Sequence, residues 1–518
     1  MIKITLSKDE FEYEIHALVK AFYPGEQIKV LKPLPINYVH NEVPVREKGG
    51  QEEESSLEST ELQIIINSDE DIIKIVAIRD TEELYSDTGH IISSDDKKQY
   101  RNYLKRILYG CLSSLTGKEL PWGTLTGVRP TKIAFERMEH QVPKIEIEAF
   151  MREQYLCSKE KTEVSLQVAE LEVDLLLKMD YKNGYSVYIG IPFCPSTCVY
   201  CSFTSYSLEK YAGMVEQYLQ ALFKEITYAG TCYRDKKLST VYLGGGTPTT
   251  LSAGQLDRLL THIRNSFDFT HVMEYTVEAG RPDSITPNKL KVLKAHEVTR
   301  ISINPQSMRQ NTLDIIGRKH SVEQLIEAYQ LARELGHENI NMDIILGLPG
   351  ETKEDVAYTL QEIDKLKPDS LTVHTLAIKR AARLNLEKTY YQNMVPTDTI
   401  EMLQLTSDYT KKAGYIPYYL YRQKNMADNL ENIGYAKPGK EGLYNILIME
   451  EKQTILALGA GALSKFVFHE ENRIERVENV KSLKDYIERI DEMIERKRNF
   501  LHESSRYKEK GNSDVVRK

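Results

Sequence analysis

From residue 185 the chain alternates, six times in succession, a short β-rich run with a helix-like segment. Few folds accept that order. The runs are YSVYIGIPF, STVYLGGG, EYTVEAG, TRISINPQS, ENINMDIILG and DSLTVHTLA. Between them lie segments such as YAGMVEQYLQALFKEITYAG and SVEQLIEAYQLARELG, whose apolar residues recur at helical spacing. Six βα units in a row predict a parallel sheet with helices outside it. The expected fold class is therefore α/β, a partial TIM-type (β/α)6 barrel over residues 181–385. Functional residues belong at the C-terminal ends of its strands.

The flanking regions read differently. Residues 1–95 predict a small α+β unit: MIKITLS is strand-like, KDEFEYEIHALVKAFY is helical, and ELQIIINS and DIIKIVAIRD are strand-like runs joined by Asp-Glu-Asp. Within it, REKGGQEEESSLEST is acidic and nearly without apolar residues, which predicts a disordered loop. Residues 96–180 predict a helical connector, opened by a capping-type Ser-Asp. Its GTLTGVRPT stretch predicts a loop entering a helix, with Arg129 placed for an anion or for a surface ion pair. Residues 386–500 form a mixed C-terminal region ending in a charged helix, and 501–518 a polar tail. No internal repeat is visible beyond the βα period.

Composition narrows the partners. A length of 518 residues is too great for one core. A net charge of −8 argues against a nucleic-acid binder, which needs a large basic surface. No stretch reaches the ~20 apolar residues that span a bilayer. The N-terminus lacks the basic and apolar regions of a secretory signal, so a cytoplasmic location is expected.

Six cysteines make no disulfide framework, and Cys111, Cys157 and Cys232 are scattered, as expected of inert thiols. The other three crowd into GIPFCPSTCVYCSF, at the end of the first barrel strand. Cys194, Cys198 and Cys201 have the spacing C-x3-C-x2-C. Structural zinc wants four ligands in paired knuckles, and no second pair or completing His is present. Iron–sulfur clusters also take thiolates. A 4Fe–4S cube held by three cysteines leaves one iron open to a substrate or cofactor. GGGTPT, Gly244 to Thr249, follows the second strand, where three glycines let backbone approach a ligand closely. Further strand ends carry Glu278, Gln306 and Asp343, with Arg318 nearby in IIGRKHS.

The cysteine motif at the end of a first barrel strand resembles the signature of the radical S-adenosylmethionine (SAM) enzymes. Together VYIGIPFCPSTCVYC, YLGGGTPT, ISINPQS, GRKHS and NMDIILGLPGET resemble the oxygen-independent coproporphyrinogen III oxidases and their relatives. The likeness is greatest to the longer, coproporphyrinogen-dehydrogenase-like subgroup, whose extra N-terminal region is of the WGTLTGVRPTK type. It covers roughly residues 120 to 465.

This resemblance implies a radical SAM barrel with a 4Fe–4S cluster held by Cys194, Cys198 and Cys201. It implies SAM on the open iron, with room in the family for a second SAM. Tyr188, Tyr200, Gly245, Gly246, Thr247, Glu278, Gln306, Arg318 and Asp343 match SAM-contacting positions. Ala377 and Leu463 match the far edge of the site. The implied reaction is decarboxylation of coproporphyrinogen III to protoporphyrinogen IX by a 5′-deoxyadenosyl radical. Arg318 or Arg129 would bind propionates of the porphyrinogen, and a flavodoxin or ferredoxin would supply electrons. In one place the chain departs from that pattern: Ser202 and Phe203 stand where the best-defined oxidases have Gly and a fourth Cys. That aromatic continuation resembles the haem chaperones of the same branch. A haem chaperone, or a radical SAM enzyme acting on another tetrapyrrole such as a haem-modifying methyltransferase, are the alternatives.

Overall fold

The structure, a computed structural model, describes residues 1–8, 10–31, 61–68, 72–90, 96–377, 398–422 and 430–501. The acidic stretch REKGGQEEESSLEST, the Asp-Glu-Asp turn and the tail from residue 502 lie outside the described residues. Two compact units emerge: residues 1–169 with 422–430, and residues 170–421 with 431–518.

The first unit is built on a five-stranded sheet of β1 (Ile2–Leu6), β2 (Ile28–Leu31), β3 (Leu62–Ser68), β4 (Ile72–Arg79) and β5 (Glu82–His90), in the order β2-β1-β3-β4-β5. β1 runs parallel to β2 and β3, and β3, β4 and β5 are antiparallel. Strand side chains alternate between faces, so one face collects Ile2, Ile4, Leu6, Ile64, Ile66, Ile73 and Ile75, all buried. Helices Glu12–Phe22 and Lys97–Thr116 share that core through Ile15, Leu18, Leu104, Leu108 and Leu112. The second helix starts where the Asp96 carboxylate accepts the N–H groups of Lys98 and Gln99, and stops at Gly117 in a left-handed conformation.

This corrects the expected division at residue 96. A sheet with one apolar face must bury it, and the helix expected in a separate connector is its cover.

The second unit contains β6 (Gly184–Ile191), β7 (Phe193–Cys194), β8 (Tyr206–Ser207), β9 (Lys237–Gly245), β10 (Glu274–Glu278), β11 (Arg300–Ser302), β12 (Ile340–Leu346), β13 (Ser370–Thr375), β14 (Ile416–Tyr421), β15 (Asn432–Ala436), β16 (Thr454–Leu458), β17 (Leu463–Phe468) and β18 (Arg473–Glu478). The six expected strands are β6 and β9 to β13, each parallel to the next. They are buried nearly end to end, as strands covered on both faces must be. Capping boxes at Ser252, Ser321 and Thr352 fix the starts of three crossover helices.

The fold is α/β, a (β/α)6 barrel sheet, extended at both ends. β16 adds a further parallel strand beside β6 and leads into antiparallel β17 and β18. β15 and β14 add antiparallel strands beside β13. The expected C-terminal region 386–500 is thus no separate region in its described part. Its strands complete the barrel sheet.

Candidate functional site

β6 ends at Ile191, and the chain turns at once into the cysteine loop. Two short strands close its base: β7 pairs with β8, and Tyr206 N–H donates to Pro192 O at 2.7 Å. Val199 N–H donates to Ile316 O at 3.1 Å and Ser196 Oγ to Gly317 O at 3.2 Å, which docks the loop on the segment after β11. Cys201 N–H donates to Cys198 O at 3.2 Å. None of the three cysteines is in a disulfide. Burial pushes the Cys194 thiol up to about 11 against a hydrogen bond with Thr247, and the neighbouring Cys201 and Cys198 add to the rise. Burial raises Cys201 too. A metal binding there must displace the protons of Cys194 and Cys201.

No three His, Cys, Asp or Glu side chains among the described residues are gathered closely enough for one metal ion. A 4Fe–4S cube does not require that, because each cysteine binds its own iron. The soft donor set and a loop anchored at both ends fit such a cluster. Cys111 and Cys157 are buried with thiols raised to about 12 by burial, which suits inert core residues.

The glycine-rich turn lies directly against this loop. Gly246 N–H donates to Ile191 O at 2.9 Å and Thr247 N–H to Phe193 O at 2.7 Å. Thr247 Oγ1 is 3.6 Å from Cys194 Sγ. A Cβ on Gly246 would sit 2.6 Å from Phe193 O, a backbone atom with no room to retreat.

The strand-end residues form a row. Glu278 accepts from Tyr242 OH at 2.6 Å. Burial raises its carboxyl to about 7, with Tyr242 opposing and Asp343 adding. Asp343 stays below the usual carboxylate range: burial works to raise it, but His374 and Asn341 outweigh that. Asn304 Nδ2 and Asn341 Nδ2 each donate to it at 2.7 Å. Gln306 bridges to β12, its N–H on Asp343 O at 2.9 Å, with φ at 63°. A buried non-glycine residue held in that conformation is strained, a condition that clusters at functional sites. Gln306 Oε1 and Asn304 Oδ1 are buried acceptors with no partner among the described residues, as expected where a polar ligand belongs.

Tyr188 stacks on Tyr242 and on Tyr444, each at 6.1 Å between ring centroids, and Tyr242 on Tyr444 at 4.3 Å. Tyr200 OH accepts from Arg318 Nη2 at 3.4 Å. Ala377 lies just beyond β13, and Leu463 opens β17, 40% exposed and paired with Glu478.

The two arginines expected to bind propionates lie in different places. Arg318 is buried, and its Nη1 donates to Asn304 O at 2.8 Å and Gly280 O at 3.3 Å. With Tyr200 these carbonyls occupy its two Nη groups, while its Nε is buried with no partner among the described residues. Arg129 is half-buried in the other unit, ahead of helix Lys132–Glu139.

Several site residues escaped the sequence reading. Tyr242 and Asn304 lie two positions before Gly244 and Gln306, a period-2 relation that points to the same face. His374 carries no such signal.

Residues 188–363 match the family model described as the radical SAM superfamily. The chain is 42% identical over 410 residues to the oxygen-independent coproporphyrinogen-III oxidase-like protein HemZ of Bacillus subtilis, covering 78% of this chain and 82% of that one. It is 32% identical to the heme chaperone HemW of the same organism, covering 59% of this chain and 76% of that one. The solved structure of Escherichia coli coproporphyrinogen III oxidase (HemN), a radical SAM enzyme, superposes with a TM-score of 0.50 at 25% identity, covering 63% of this chain and 73% of that one. The cofactors of this superfamily are a 4Fe–4S cluster and SAM, which suit the thiol set, the glycine turn and the unpartnered acceptors described above. The chain belongs to the radical SAM superfamily, in the branch that holds the oxygen-independent coproporphyrinogen III oxidase-like proteins.

Proposed function

We propose that the protein carries out oxygen-independent oxidative decarboxylation of coproporphyrinogen III to protoporphyrinogen IX, in porphyrin and haem biosynthesis. The observation that carries this reading is the extent of the likeness to HemZ. It takes in 78% of the chain, whereas the likeness to the chaperone takes in 59%.

Cys194, Cys198 and Cys201 hold the cluster in this reading. A bound cluster and SAM supply one-electron cleavage of SAM and hydrogen abstraction from a propionate β-carbon. Gly245, Gly246 and Thr247 present backbone to the SAM amino acid moiety. Glu278, Gln306 and Asp343 offer acceptors to its donors, and Tyr188 and Tyr200 wall the pocket and exclude water. Arg318 acts behind Tyr200, and Ala377 and Leu463 mark the two ends of the strand row. A flavodoxin- or ferredoxin-type protein supplies the electron.

The test is anaerobic. The reconstituted protein, with dithionite, SAM and coproporphyrinogen III, should yield protoporphyrin fluorescence after oxidation, together with 5′-deoxyadenosine. SAM cleavage with no porphyrin product would sink the reading.

One observation favours a haem chaperone instead. Phe203, where the oxidases have a fourth Cys, is 70% exposed two residues beyond Cys201. Stoichiometric b-type haem on the isolated protein, lost in Phe203→Ala, would favour that second reading.

A further inference from the structure

Arg281 is a buried guanidinium that none of the reading above uses, and it faces the cysteine loop. It is 3% exposed. One edge of its fork grips Asp283, Nε to Oδ1 at 3.0 Å and Nη2 to Oδ2 at 2.8 Å. The other donors reach the loop: Nη2 to Ser196 Oγ at 3.0 Å, Nη1 to Ser196 O at 3.3 Å, and Nη1 to Cys198 Sγ at 3.6 Å. Its backbone is pinned as well. Ser284 N–H and Oγ donate to Arg281 O at 2.9 and 2.7 Å, and Ser284 Oγ is 2.6 Å from Thr249 Oγ1, at the end of GGGTPT. A planar fork held bidentately by a carboxylate has a fixed direction. Here that direction puts an N–H on the sulfur of Cys198.

We propose that Arg281, oriented by Asp283, raises the reduction potential of the cluster held by Cys194, Cys198 and Cys201, and so acts as a positioning and tuning residue. This rests on the cluster assignment given under the proposed function. Hydrogen bonds to cluster sulfurs favour the reduced, more electron-rich state, and a site shielded from water magnifies the effect. The two charges also work against each other. Without Arg281, only Arg318 is left to offset the charge of Asp283, and the potential falls. Without the charge of Asp283, the guanidinium acts alone and the potential rises. A clamp with a purely mechanical role would move neither.

The experiment is a potentiometric titration of the anaerobically reconstituted full chain, followed by electron paramagnetic resonance. In Arg281→Gln the ratio of reduced to oxidised cluster at a fixed potential should fall about tenfold, equivalent to about 59 mV for one electron. In Asp283→Asn the ratio should rise. If Arg281→Gln takes up no cluster, Asp283→Asn decides alone. A potential at or above wild type in the first variant, or at or below it in the second, overturns the proposal. So does loss of the cluster from both, which would make the pair a structural clamp. A wild-type chain that binds no cluster fails the underlying assignment, before either variant is compared.

Discussion

Tyr242, on β9, donates its hydroxyl to Oε1 of Glu278 on the adjacent β10 at 2.6 Å. Burial favours the protonated form of that carboxyl, against the pull of this bond. Glu278 sits at about 7 against an ordinary 4.5, chiefly through burial. Between about pH 4.5 and 7 the native state therefore holds a proton that the unfolded chain has released. Stability falls as pH rises through that window. Glu278→Gln should remove this part of the slope, a change on the order of 3 kcal/mol. Urea unfolding at pH 5 and pH 7.5 measures it, and parallel pH dependences for both proteins would deny the shift.

The cysteine loop gives the sharpest chemical test. Cys198→Ala should lose bound iron, the cluster's visible absorbance and SAM cleavage together, while the fold persists by circular dichroism. A variant that retained iron and SAM cleavage would place the cluster elsewhere.

Gly246→Ala separates cluster from SAM. Its Cβ would meet Phe193 O at 2.6 Å, so the turn must shift away from the cysteine loop. Cluster content should stay near wild type while SAM affinity falls about tenfold or more, a loss of ~1.4 kcal/mol, read by equilibrium binding. Unchanged SAM affinity would mean that the turn is not part of the SAM site.

A buried ion pair sits at the end of β16. Lys497 Nζ donates to Glu225 Oε1 at 2.7 Å, and both side chains are almost fully buried. Glu225 also accepts from Gly459 N–H at 2.8 Å, Tyr486 OH at 2.5 Å and Asn479 Nδ2 at 2.8 Å. Lys497→Met should cost about 3–5 kcal/mol by stranding the carboxylate. Glu225→Gln combined with Lys497→Met should recover part of that in denaturant titrations. A double variant no more stable than the single would mean that charge is not what matters there.

What the sequence revealed follows from what each feature depends on. The six barrel strands were legible because each is a short apolar run between Gly-rich turns and capped helices, a local pattern. β16 was not, since TILAL is an equally apolar run whose parallel partner β6 lies far upstream. Helix Lys97–Thr116 was legible as a helix, but its place on the N-terminal sheet depends on a face that alternation alone exposes. In the site, the cysteines and glycines announce themselves by spacing. Arg281 does not: EAGRPDS holds no motif, and its role comes from where the third strand end meets the loop after the first.

The pairing of β6 with β16 also bears on how the molecule is made. Ser186 donates to Gln453 across 267 residues of chain. The strand that carries the cysteine loop has β9 on one side early in synthesis. Its other neighbour emerges only after most of the chain has left the ribosome, a delay on the order of tens of seconds. Until then one edge of that strand has no partner, and the loop beyond it lacks the frame completed by β16. A chain truncated before β16 should therefore take up less iron than the full chain on anaerobic reconstitution.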